Sequence, residues 1–208
     1  MSHTDVFTSD VAFTPSVMAI QQRKGSRPAY ERMEQSGGWR VAITDDLRQF
    51  IGAQTSVYLA TANAQGQPYI QHRGGPAGFL QVLDERTIAF VDFAGNRQYI
   101  SSGNLAENPK AHLFLMDYRH RQRIKIWGEA RVVEGDTALV ARLMPSGYKA
   151  RAEQVIVFTV SAWDANCSQH IPVRLDTDEV ESLLAAKDAR IAVLEAEVAQ
   201  LKAGALVP

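Results

Sequence analysis

The residues best suited to chemistry lie in two runs, Gln71-His72-Arg73-Gly74-Gly75 and Gly95-Asn96-Arg97-Gln98, the second continuing through Tyr99-Ile100 to Ser101-Ser102. An arginine fork can hold two phosphate oxygens at once, and an Asn amide and Ser hydroxyls add neutral donors. An apolar strand, Phe90 to Phe93, breaks at the Gly-Asn-Arg turn and restarts as a polar helix, whose N-terminus adds backbone N–H groups. The two glycines after Arg73 let a backbone approach an anion closely. Each arginine taken singly reads better as a solvated surface charge, since exposed ion pairs are common and cheap. Two of them beside glycine-rich turns point to a phosphorylated ligand.

Two further groups stand downstream. Arg123, Lys125 and Trp127 alternate along one strand and share a face, with Ile124 and Ile126 on the core side. That face either lines a polar site, where Trp and Lys could cover an electron-rich ring, or is an outward basic surface. Trp163 to His170 follows the last strand with Asn166, Cys167, Ser168 and Gln169 between, a loop able to hydrogen-bond a heteroaromatic ligand. One Cys and one nearby His fall short of a zinc ligand set. A hydrolase is excluded by the lack of a G-x-S-x-G elbow and by Cys167 and His170 lying too close in sequence. Cys167 reads as well as a small buried apolar residue.

The elements that must position these groups follow from patterning. Residues 1–43 are polar and punctuated by Pro15, Gly25, Pro28, Gly37 and Gly38, with short helices expected at Ser16–Lys24 and Ala29–Gln35. Thr44 is an N-cap for a helix to about Gln54. Residues 44–176 then read as the main domain. It holds the hairpin SVYLATAN/YIQHR, the hairpin FLQVL/TIAFVDF, a helix from Gln98 to Glu107, the strands AHLFLMDY and RIKIWGEARVV, a helix from Asp136 to Leu143, and a last strand QVIVFTVSAWD. At least six strands with short helical insertions predict a mainly β fold, a small antiparallel barrel with peripheral helices. Residues 177–208 change grammar. Leu184, Ile191 and Val198 recur every seven residues with Val180, Lys187, Leu194 and Leu201 as companions, a coiled-coil seam or the apolar stripe of one helix packed on its own domain.

Composition narrows the partners. With 22 Lys and Arg against 23 Asp and Glu, the formal net charge is −1, so no global basic field favours nucleic acid or an anionic membrane. A single Cys fits a reducing compartment, and the N-terminus has acids where a secretory signal needs a basic region. No stretch is apolar enough to span a membrane. A cytoplasmic protein is expected.

On the strand–GNRQ–helix–ENP segment and the R-x-K-x-W-G strand, the chain from about Gln54 to Arg174 resembles the pyridoxamine 5'-phosphate oxidase-like, FMN-binding split-barrel proteins. The resemblance implies a homodimeric six-stranded split barrel with FMN in the cleft between subunits. Carried over by position, Arg97 and Gln98 stand at the Arg-Lys pair that binds the FMN phosphate, with Gln in place of Lys. Gln71, His72 and Arg73 fall near the first phosphate- and ring-contacting strand. Arg123 replaces a flavin-contacting Gln, while Trp163, Gln169 and His170 fall near the region that reaches FMN from the other subunit. The Arg-x-x-x-Arg segment that holds vitamin substrates has no clean counterpart.

The expectation is an FMN-dependent oxidoreductase acting on an unidentified small molecule. Arg73, Asn96, Arg97 and Ser102 would hold phosphate, and Gln71, Lys125, Trp127, Gln169 and His170 the ring or its polar edge. Lys125 or His170 would supply positive charge there. No GxGxxG fingerprint is present, so any NAD(P)H would bind transiently. Alternatives are a non-catalytic flavin-binding redox sensor or flavin reservoir, and a barrel holding haem or a deazaflavin instead.

Overall fold

Alternation between buried and half-exposed residues builds the sheet. In strand β1, Ser56–Ala62, the residues Val57, Leu59 and Thr61 point inward; in β5, Lys110–Asp117, Ala111, Leu113 and Leu115 do; in β6, Gln122–Val133, Ile124 and Ile126 do. The computed structural model describes residues 7–166 and 168–204. With β2 (Pro68–Gly74), β3 (Gln81–Val82), β4 (Thr87–Phe93) and β7 (Ala152–Asn166), these form one antiparallel sheet in the order β2-β1-β5-β6-β7-β4-β3. The expected six strands are therefore seven. All seven are segments that the patterning marks, one more than the family resemblance implies; FLQVL contributes only the short β3, because Phe79 and Leu80 turn into the core at 1% and 2% exposure and leave only Gln81 and Val82 to pair with β4.

The ladder is open, with no hydrogen-bonded pairing of β2 to β3 or β4 among the described residues. The sheet nevertheless curls until Arg73 of β2 meets Asp92 of β4 across its two ends, Nε to Oδ1 at 2.7 Å. The core lies inside this curl, from Val57, Leu59 and Phe90 to Ile126 and Phe158, with Leu47 and Ile51 added by helix α3, Asp45–Ala53. Thr44 caps α3 as expected, its Oγ1 accepting from Leu47 N at 3.3 Å. A second cluster, Ala89, Val91, Leu143, Val155 and Val157, packs with helix α5, Thr137–Leu143.

Gly128 marks the bulge where β6 shifts register against β7. A Cβ there would lie 2.0 Å from the Thr159 carbonyl oxygen and 2.6 Å from the Phe158 ring. Gly128→Ala is expected to cost about 2 kcal/mol of stability, in the range for overpacking a core, read as a lower midpoint in urea.

Residues before α3 fold as a 3-10 turn, Thr8–Val11, and two short helices, α1 (Pro15–Lys24) and α2 (Arg27–Gln35). They are locked by a buried polar network in which Glu34 accepts from Ser9 and pairs with Arg27, which also donates to Gln21 Oε1 at 3.0 Å. Trp163 tethers the segment that follows, donating its backbone N–H to Arg40 O at 2.8 Å and its indole N–H to Ala42 O at 2.9 Å.

The chain divides into two compact units, Met1–Asp117 with Gln122–Gln169, and Tyr118–Arg121 with His170–Pro208. In the second unit Arg174 stacks over Tyr118 at 4.2 Å and Arg119 pairs with Glu179 at 2.9 Å. It ends in α6, Thr177–Gly204. No helix among the described residues is long and apolar enough to cross a membrane.

Candidate functional site

A cavity of about 250 Å³ opens where β2, the end of β4 and the start of β7 meet helix α4, Ile100–Glu107. Gln71, Arg73, Asn96, Arg97, Gln98, Ser101 and Ser102 all line it. Helix α4 starts later than the sequence suggests because the turn before it is twisted: Arg97 and Tyr99 both adopt left-handed backbone, at φ 61° and 54°. Such conformations in non-glycine residues cost energy and collect at functional sites. No side chain caps α4, so its first-turn N–H groups have neither intrahelical nor side-chain acceptors. An uncapped helix N-terminus, ringed by an Asn, two Ser and two Arg, gathers the donors that a seat for an anion needs.

Arg73 is aimed into that seat by residues the sequence reading did not single out. Asp92 pairs with its Nε by charge, at 2.7 Å but without hydrogen-bond alignment; Gln154 donates from Nε2 to Asp92 Oδ2 and to Ser102 Oγ, each at 2.9 Å. The terminal nitrogens of Arg73 make only long contacts, to Ser101 Oγ at 3.4 Å and His72 O at 3.5 Å, leaving donors for an incoming oxygen. Tyr69 and Glu153 complete the wall, Tyr69 donating to Gln71 Oε1 at 2.5 Å and Tyr99 to Glu153 Oε1 at 2.6 Å. The phenol of Tyr99 is pushed above its ordinary range, chiefly by that bond to a carboxylate. Asp92 carried a readable signal, as the one charge inside the apolar strand TIAFVDF.

The other expected residues are elsewhere. His72 points to the opposite face of β2, edge-on to Tyr58 at 5.6 Å, as strand alternation requires. Lys125, Trp127 and Trp163 line a second cavity of about 850 Å³, closed by the N-terminal segment through Phe13, Tyr30, Trp39 and Arg40. All three tryptophans of the chain are in its wall. Trp39 stacks on Trp127 at 4.5 Å and 9°, and Lys125 Nζ lies 5.8 Å and 5.2 Å from their ring centres while pairing with Asp164 at 3.0 Å. Trp163 is 7% exposed, belongs to the main core and has Arg40 stacked over it at 5.4 Å. Arg123 lines neither cavity; its Nε is buried without a hydrogen-bond partner. Gln169 and His170 are exposed turn residues at the end of the first unit and the start of the second. Cys167 lies outside the described residues.

The two cavities mark opposite ends of β7. Gln154 lines the smaller and Asp164 the larger, up to roughly 33 Å apart at ~3.3 Å of strand per residue.

His112, opposite Trp127 in the ladder and edge-on to it at 5.0 Å, has its imidazole pushed down to about 4, first by burial and then by the Lys125 charge. Above its ordinary value of 6.5 the ring is neutral in both folded and unfolded chains. Between 6.5 and about 4 the unfolded chain takes up a proton that the folded one refuses, so stability falls as pH drops through that window. His112→Phe is expected to flatten that fall in urea-midpoint measurements at a series of pH values.

A family model for pyridoxamine 5'-phosphate oxidase matches residues 43–167. Among solved structures, HupZ of Group A Streptococcus is similar at 19% identity and TM-score 0.49, covering 64% of this chain and 99% of that one. An FMN-binding protein from Syntrophomonas wolfei is similar at 16% identity and TM-score 0.46, covering 72% and 97%. The heme storage protein HutZ of Vibrio cholerae is similar at 16% identity and TM-score 0.38, covering 58% and 90%. No curated protein matches the chain. The family match takes in every strand of the sheet and the whole strained turn before α4, and this chain belongs to the pyridoxamine 5'-phosphate oxidase family.

Proposed function

We propose that the protein is an FMN-dependent oxidoreductase that binds FMN between two copies of the chain. The observation that carries this reading is the uncapped N-terminus of α4 in a strained turn between Arg73 and Arg97. The donor set there fits a phosphate monoester: Arg97 and the spare nitrogens of Arg73 take oxygens in forked geometry, and Asn96, the Ser hydroxyls and the α4 N–H groups complete the shell. Asp92 positions Arg73 and restrains the positive charge of the seat, so an anion is held by directed bonds more than by field strength.

The separation along β7 supports the intersubunit arrangement. The seat and the Lys125–Trp127 face stand eight to ten residues apart along β7, from Gln154 to Ala162 and Asp164, which favours drawing the two halves of a flavin site from different chains. The ring is received by Lys125 and Trp127 of a second copy. Bound there, FMN supplies the two-electron chemistry, with NAD(P)H as a transient donor. The protein's own residues grip the phosphate, keep water from the ring with the tryptophan wall, and set a cation, Lys125 steadied by Asp164, near its polar edge.

The test is the visible spectrum of freshly purified protein, with the released chromophore identified by mass. A yellow protein yielding FMN, bleached by NADH or NADPH and recovering in air, is expected. Bound FMN that neither nicotinamide reduces returns the sensor or reservoir reading. Colourless protein that refuses added FMN overturns the assignment. Arg97→Ala is expected to weaken FMN binding by about 2 kcal/mol, roughly 30-fold, the scale of a charged hydrogen bond, measured by quenching of flavin fluorescence.

A further inference from the structure

Helix α6 is 28 residues, about 42 Å at 1.5 Å per residue. Its apolar side chains are bare: Leu184 is 56% exposed, Ile191 52%, Leu194 42%, Val198 47% and Leu201 73%. In proteins most of a helix's stability comes from packing its apolar face. These residues all fall on one seven-residue repeat, with Leu184, Ile191 and Val198 in the first core position and Val180, Lys187, Leu194 and Leu201 in the second.

We propose that α6 pairs with α6 of a second copy of this chain, in parallel and in register, as a two-stranded coiled coil. The residue types choose the number of strands: β-branched Ile191 and Val198 at the first core position with Leu194 and Leu201 at the second is the pattern that favours parallel dimers. The flanking charges choose the direction. In a parallel, in-register pair Arg190 faces Glu195 of the other helix and Glu197 faces Lys202, and symmetry makes each attraction twice. The antiparallel alternative that keeps the whole seam, with Ile191 against Leu194, also makes two attractions twice, Arg190 with Glu197 and Glu181 with Lys202, and differs in setting Asp188 against Glu195 twice. The parallel pair carries one cost: Lys187 meets its own copy in the seam. Its long stem can lie along the apolar seam with the ammonium in water, and such a polar layer at one core position fixes register at the expense of stability. The helix lies outside the family match, so this surface is an addition of this chain to the family fold.

Ser182 sits on the outward side of the repeat, away from the seam, and serves as a probe that leaves packing intact. In the full-length chain, with Cys167→Ser to remove the native thiol, Ser182→Cys carrying a nitroxide label is expected to give a single narrow label-to-label distance of about one coiled-coil diameter. An antiparallel pair would separate the labels by roughly 30 Å along the axis, from twenty-one residues at 1.5 Å, and overturn the proposal. A broad or absent dipolar signal, meaning unpaired helices, would overturn it as well. Arg190→Glu is expected to broaden the narrow distribution, and adding Glu195→Arg to restore it; no response to either charge change would refute the role of the flanking pairs. None of these readouts involves flavin, so the pairing stands or falls independently of the cofactor assignment.

Discussion

Dimers built from one Arg97→Ala chain and one Lys125→Ala chain are expected to hold one tightly bound FMN, whereas each single-variant homodimer stays almost empty at flavin concentrations near the parent protein's Kd. The expectation follows from the two cavities at opposite ends of β7. If each flavin takes its phosphate contacts from one chain and its ring contacts from the other, each homodimer has both sites damaged. The mixed dimer concentrates both lesions in one site and leaves the other whole. A dimer of one unaltered chain and one chain carrying both substitutions gives the opposite forecast: each of its sites then has one damaged half, and tight binding is lost. If every site were formed within a single chain, the two results would be exchanged, with the mixed dimer empty and the second dimer holding one flavin. Co-expression with two different affinity tags isolates the hybrids, and flavin released per dimer is the readout. The exchanged result would end the intersubunit reading while leaving the phosphate seat untouched.

How much of this was legible in the chain depends on how local the signal was. The strands declared themselves by alternation, and the α1, α3 and α5 starts by Pro15, Thr44 and Asp136, because those choices are made by neighbours in sequence. The lining of the smaller cavity was equally visible, since Gln71 and Arg73 share one face of β2 and Asn96 to Ser102 are nearly contiguous. His72 could have been excluded by the same alternation that admitted its neighbours. What stayed hidden was set at long range. Nothing local predicts that Asp92 and Gln154 orient Arg73, since the three stand on three different strands. Nor does spacing reveal that Trp39, far upstream, stacks on Trp127 and closes the larger cavity. The left-handed turn at Arg97 and Tyr99 defied expectation for a different reason: side chains disfavour that backbone, and only the surrounding fold holds it.

Asp92→Ala is expected to lower stability by about 3 kcal/mol, the low end of the range for removing one partner of a buried ion pair. That is a large share of the ~5–15 kcal/mol that holds a typical domain together. The side chains of Asp92 and Arg73 are 10% and 19% exposed, so the loss strands a guanidinium with little water to replace its partner. It also deprives Gln154 of the acceptor that fixes its amide, and with it the Ser102 hydroxyl. The pair ties β2, one end of the hydrogen-bonded order, to β4, the last strand but one at the other, so its removal lets the curl of the sheet relax beside the smaller cavity. Replacing both partners by apolar residues, Arg73→Met with Asp92→Leu, leaves no stranded charge and is expected to recover most of the stability while binding FMN poorly. Stability and flavin affinity would thus separate between the single and double variants. Urea midpoints for the parent, both single variants and the double complete the cycle; a cost below about 1 kcal/mol for Asp92→Ala, the level of an exposed pair, would show that the Arg73–Asp92 contact neither closes the sheet nor positions the arginine.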